Sequence, residues 1–200
     1  MLSELWSALS IGFLLGIKHS LEPDHIVAVS TLARKHKSIK RSSLEGVTWG
    51  IGHTLTIALV GVIVFLMKVS IPNSLATVFE GLVGIMIIYL GVKSVIDTIK
   101  QKQMNHKLYR PAVIGFVHGL AGSAAMIVLL MTTVDSMTHA FLYLALFGGG
   151  TILGMMSFTI LLGLPFSLFS VSSKWKNTLS LSMGMISVIF GVFYITSIYL

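Results

Sequence analysis

Six apolar runs, near positions 4–33, 43–67, 74–97, 111–133, 139–166 and 178–199, decide most of what this chain can fold into. Each is long enough to cross a hydrocarbon layer roughly 30 Å thick as a helix, which takes about 20 residues. In lipid every backbone N–H and C=O must be paired within the protein, so a spanning segment is a helix or part of a closed barrel. Charged residues make up only 10% of the 200 positions and apolar ones 54%, where a soluble domain carries about 25% charged residues. The expectation is an all-α integral membrane protein with six transmembrane helices. The first residues lack a basic leader region and no small-residue cleavage site follows, so the first run reads as a retained span.

The connections between runs are asymmetric. Arg34, Lys35, Lys37, Lys40 and Arg41 follow the first run, Lys100, Lys102, Lys107 and Arg110 the third, and Lys174 and Lys176 the fifth. These alternate connections hold most of the chain's 14 basic residues, and the opposite side has only Lys68. The positive-inside rule then puts the basic connections in the cytoplasm and both termini outside. The basic excess is thereby accounted for by topology, with no nucleic-acid partner needed. His36 and His106 fall in these connections and are expected to be solvated. The absence of Cys excludes disulfides and thiolate metal sites. The 11 Met residues are scattered over apolar faces as filler, unlike a copper path.

The chain also resembles itself. Gly16 to Leu21, with His19, aligns with Gly115 to Leu120, with His118; Gly50 and Gly52 face Gly148 to Gly150; Gly84 and Gly91 match Gly184 and Gly191. Three spans per unit is an odd number, so the units are inverted relative to each other, a transporter arrangement. A single transmembrane domain over 1–200 is expected, with one repeat over 1–100, the other over 110–200, and a basic cytoplasmic linker at 98–110.

One stretch does not suit a membrane span. His19-Ser-Leu-Glu-Pro-Asp-His25 sets two imidazoles and two carboxylates inside the first run, each charge costing about 2.5–3.5 kcal/mol at mid-helix on insertion scales. A regular helix would hold His19 and Asp24 about 140° apart. They converge only if the helix breaks, and Pro23 supplies the break. His19, Asp24 and His25 are candidate ligands for a borderline divalent ion such as Ni²⁺, Co²⁺ or Zn²⁺. The plainer alternative is a kinked helix whose polar groups bond to neighbouring spans. Glu22 is either a partner or further ligand in this set, or an i,i+4 partner of Lys18.

His53, in Trp49-Gly-Ile-Gly-His-Thr54, lies deep in the second span, where Gly50 and Gly52 allow another helix close and would bring His53 towards the first span. It is a further candidate ligand, the alternative being a structural histidine. His118 repeats His19, but Ser123 and Ala124 stand where Asp24 and His25 would recur, so His118 is either a pathway ligand or a packing remnant. Ser42-x-x-Glu45 reads as a capping box for the second span. Glu80 suits the helix N-terminus at the outer interface, and Asp135 and His139 suit a turn. Gly148-Gly-Gly150 signals close packing or a second helix break.

His19-x4-Asp24-His25, together with the Trp-Gly-Ile-Gly-His-Thr stretch, resembles the nickel/cobalt permease (NicO) family, most closely its short urease-accessory (UreH-type) branch. The resemblance covers essentially the whole chain. It implies nickel or cobalt as transported ligand, no resident cofactor, and His19, Asp24, His25 and His53 as metal-recognising residues. It also implies nickel supply for urease maturation. The longer permeases carry eight spans and a Phe-Asp-Thr motif, for which Phe147-Gly-Gly-Gly-Thr151 offers no carboxylate. Uptake driven by protons or membrane potential is the first expectation. Efflux is the alternative, disfavoured by the lack of a His-rich loop. A metal-dependent intramembrane hydrolase or transferase, with His19, Asp24 and His25 holding catalytic Zn²⁺, and a membrane scaffold passing nickel to partners are the other classes. Membrane lipid is the expected surrounding, and the site could close within one chain or in a homo-oligomer.

Overall fold

The computed structural model describes residues 2–32, 38–69, 71–102, 109–133, 136–168 and 172–200. Those residues are helical throughout, apart from short turns: α1 (Leu2–His19), α2 (Pro23–Leu32), α3 (Ile39–Met67), α4 (Asn73–Ile99), α5 (Tyr109–Thr133), α6 (Met137–Leu168) and α7 (Ser173–Tyr199). By length and composition α3, α4, α6 and α7 can each cross a membrane. The outward faces are apolar: Leu55, Leu59, Ile63, Ile85, Ile186 and Ile189 are all exposed. A bundle with a greasy exterior and its imidazoles inside is a membrane protein's distribution, the reverse of a soluble fold.

The first apolar run is broken, as its length and Pro23 require. The chain leaves α1 through tight turns, Leu21 N–H donating to Lys18 O and Glu22 N–H to His19 O. Ile26 N–H then donates to Glu22 O, which opens α2. Pro23 is the first residue of α2, where its missing N–H costs nothing and its fixed φ suits the helix. The break therefore falls just before the proline, at 20–22. Nothing comparable occurs among the described residues of the second half. Both α5 and α6 run unbroken, so Gly148 to Gly150 is packing and not a second break.

Small residues let the helices close on one another, and the contacts recur at a near-constant spacing. A Cβ on Gly16 would strike Phe147 and Thr151 of α6, and one on Gly115 would strike Trp49 of α3. Gly150 meets Phe13 and Ile17 of α1; Gly52 meets Ala112 and Phe116 of α5. Gly91 lies on Gly184 and Val188, while Gly191 lies on Gly84 and Ile88. Each second contact is the first with 98 to 100 added to one partner and subtracted from the other. With no water to expel between helices in lipid, such close backbone approach supplies the packing energy.

Three local expectations are corrected. Helix α3 begins at Ile39, with Ser38 as its N-cap residue, so Ser42 and Glu45 are buried inside the helix and form no capping box. Ser42 instead faces Gly163 of α6. Glu80 sits two turns into α4, past the first turn where the helix dipole acts on a carboxylate. Gly50 and Gly52 bring α6 and α5 against α3, so His53 reaches the first run by its side chain alone. His36, His106, Lys107 and Asp135 lie outside the described residues, as do Arg34, Lys35 and Lys37.

Candidate metal centre

The broken run, α3 and α5 bring four histidines together. His19 ends α1, His25 lies in the first turn of α2, His53 is midway along α3, and His118 is about nine residues into α5. His53 and His118 are fully buried, His25 is 1% exposed and His19 5%. The apolar clusters around Phe147 and Trp49 flank them, with the Phe147 ring 5.6 Å from His19 and the Trp49 ring 5.8 Å from His118.

The break creates the geometry. Because α2 starts anew at Pro23, Asp24 sits in its first turn, where free N–H groups favour a carboxylate. Asp24 accepts two hydrogen bonds, from His25 Nδ1 at 3.1 Å and from His118 Nε2 at 2.9 Å. Glu22 Oε2 lies 2.9 Å from His19 Nδ1. Its partner is thus His19 and not Lys18. The Glu22 side chain is 48% exposed, against 14% for Asp24. His19 Nε2 and His53 Nε2 stand 3.0 Å apart.

These partners set the protons. An ionised carboxylate only accepts, so His19 and His25 each carry their proton on Nδ1, and His118 carries its own on Nε2. The lone pair of His25 Nε2 is thereby left open, and that of His19 Nε2 accepts from His53 Nε2, the arrangement by which a carboxylate orients a metal-binding imidazole. His25 Nε2, His53 Nδ1 and His118 Nδ1 are buried with no hydrogen-bond partner. Such atoms are costly in a dry interior unless something else comes to them.

Two sets of three donors are each compact enough for one ion: His19, His25 and His53, and Asp24, His25 and His118, with donor atoms in each set within 4.8 Å of one another. Metal–nitrogen bonds of about 2.0–2.1 Å place neighbouring donors roughly 3–3.4 Å apart, close to the 3.0 Å between His19 and His53. All of the candidates, His19, Glu22, Asp24, His25, His53 and His118, meet in one place. His118 joins the centre through Asp24, although the second half lacks the rest of the motif. What the sequence did not mark is the aromatic wall: Phe147 and Trp49 are 98 positions apart, and that repeat spacing could have pointed to both.

The chain is similar to known proteins across its length. The model of the NicO family, described as high-affinity nickel-transport protein, matches residues 5–110. The urease accessory protein UreH of Bacillus sp. (strain TB-90) is 41% identical over 208 residues, covering 96% of this chain and 91% of that protein. A Methanocaldococcus jannaschii protein described as a nickel/cobalt efflux system is 26% identical over 206 residues, 98% of this chain and 94% of its own. An Arabidopsis thaliana chloroplast protein, FOR GROWTH AND FERTILITY 2, is 28% identical over 186 residues, 82% of this chain but 48% of its own length. No solved structure matches.

Proposed function

Since the chain belongs to the NicO family of high-affinity nickel-transport proteins, we propose that it takes up Ni²⁺ through the cytoplasmic membrane by way of the four-histidine centre. Membership makes it a transporter of nickel and sets aside the hydrolase and its catalytic zinc. The observation that carries the reading is the convergence of His19, Asp24, His25 and His53, with Glu22 and His118 beside them, inside a bundle whose exterior is apolar. Buried imidazoles with lone pairs left open suit a borderline ion, cobalt as well as nickel. A polar centre at mid-bundle, formed where a helix is interrupted, is the usual place for a transported ion.

Six spans fit the helix lengths, with α1 and α2 together as one broken span and α5 completing the set. The paired glycine contacts at spacings of 98 to 100 support two inverted repeats, with basic connections inside and both termini outside. Nickel supply for urease is supported by the likeness to UreH. Efflux is the second reading, on the strength of the M. jannaschii relative's description.

The test is accumulation of radioactive nickel in cells expressing the chain, beside a His25→Ala variant matched for membrane expression. Uptake predicts accumulation above empty cells that His25→Ala removes. Accumulation below that of empty cells, restored by the substitution, would establish efflux. Equal accumulation in all three would overturn nickel transport by this chain.

A further inference from the structure

His25 belongs to both donor sets, and it meets them on different sides. Its ring lies face to face with His118, centroids 4.1 Å apart at 29°. It meets His19 and His53 edge-on, at 4.6 Å and 67° and at 4.9 Å and 77°. Its Nδ1 is directed at Asp24, and its Nε2 is buried without a partner. One imidazole thus has one nitrogen in reach of each group.

Resting on the nickel-transport reading, we infer that the centre is two metal positions sharing His25. The first consists of His19, His25 and His53; the second of Asp24, His25 and His118; a single ion passes from one to the other across the His25 ring. His25 Nε2 serves the first position and Nδ1 the second. At the first, His53 presents Nε2 by moving its proton to its own Nδ1, which has no other partner. At the second, the ion takes the place of the two protons that Asp24 now accepts. His25 and His118 make room by shifting those protons to Nε2 and Nδ1, again atoms without partners. His25, His53 and His118 each have one unpartnered nitrogen, so the change of position needs only tautomer exchange within those three rings.

The two positions lie at one level of the bundle: His53 O lies against Gly119, and the His53 and His118 rings are 5.8 Å apart. The step between them is therefore short and runs across the bundle. Glu22, half exposed and touching His19, borders the first position.

Two variants separate the positions: His53→Gln leaves Asp24, His25 and His118, and His118→Gln leaves His19, His25 and His53. The full chain, purified in detergent with its elution profile checked, is titrated with Ni²⁺ and, for optical absorption, with Co²⁺. Each variant is expected to keep one binding event within about tenfold of the unaltered chain, while His25→Ala loses at least about 100-fold. The Co²⁺ spectra of the two variants should differ, one reporting two nitrogens and a carboxylate and the other three nitrogens. In liposomes both should cut nickel flux at least about tenfold, because the ion binds but cannot move on. Identical Co²⁺ spectra, loss of binding in either variant as complete as in His25→Ala, or unchanged flux in His118→Gln would overturn the relay. No flux from the unaltered chain would instead overturn the transport reading itself.

Discussion

Asp24 does more with its position than with its charge alone. In the first turn of α2 it accepts from His25 and from His118 together, so it holds rings from two helices in register. Asp24→Asn retains the size but has only one acceptor oxygen, and its amide would present N–H groups to one of those rings. Nickel flux through Asp24→Asn in liposomes should fall about 10- to 100-fold, as when an orienting partner is lost. Glu22→Gln keeps an acceptor near His19 Nδ1 and should cost less, within about tenfold. A flux in Asp24→Asn equal to that of the unaltered chain would mean that the carboxylate neither holds the rings nor meets the ion. The heptapeptide was legible as a candidate metal set from residue types alone. That His19 turns to His53 and Glu22, while His25 turns to Asp24, was not, because the pairing depends on where each ring points after the break.

Among the helices, α6 offers an internal comparison within three adjacent glycines. A Cβ on Gly149 would meet nothing within 4 Å, whereas one on Gly150 would strike the α1 backbone at Phe13. Gly149→Ala should therefore leave the thermal unfolding midpoint in detergent within a degree or two, while Gly150→Ala should destabilise the protein by about 1–3 kcal/mol, as overpacking does. Equal effects would mean that α1 does not rest on α6 through Gly150. Apolar runs announced nearly every helix to within a few residues. The exceptions are instructive: Ser42 and Glu45 carry a capping pattern but lie inside α3, since the helix extends back to Ile39. A helix end is set by where the chain stops packing, which a four-residue pattern does not encode.

For the whole molecule, the recurring glycine contacts suggest two related halves, yet only the first half has a break in its first helix and a full donor set. If the halves are inverted repeats, such a frame gives one asymmetric centre that can be reached from either side. The orientation is open to a direct check, since the chain has no native Cys. With basic connections in the cytoplasm, Lys102→Cys should react with a membrane-impermeant maleimide only after cells are permeabilised, and Val69→Cys should react in intact cells. The reverse pattern would invert the topology.

Composition and periodic apolar runs by themselves determined an all-helical protein for lipid, because a backbone without water must pair with itself. The heptapeptide by itself determined that the first run breaks, because Pro23 cannot continue a helix, and it marked the candidate donors, because charges this deep in a span are costly. Only the tertiary structure decided that His118 joins the centre and that His25 turns Nδ1 to Asp24 and leaves Nε2 without a partner. Those facts depend on α5 pressing its small residues against α3, a contact between residues some 60 positions apart that local spacing along the chain does not specify.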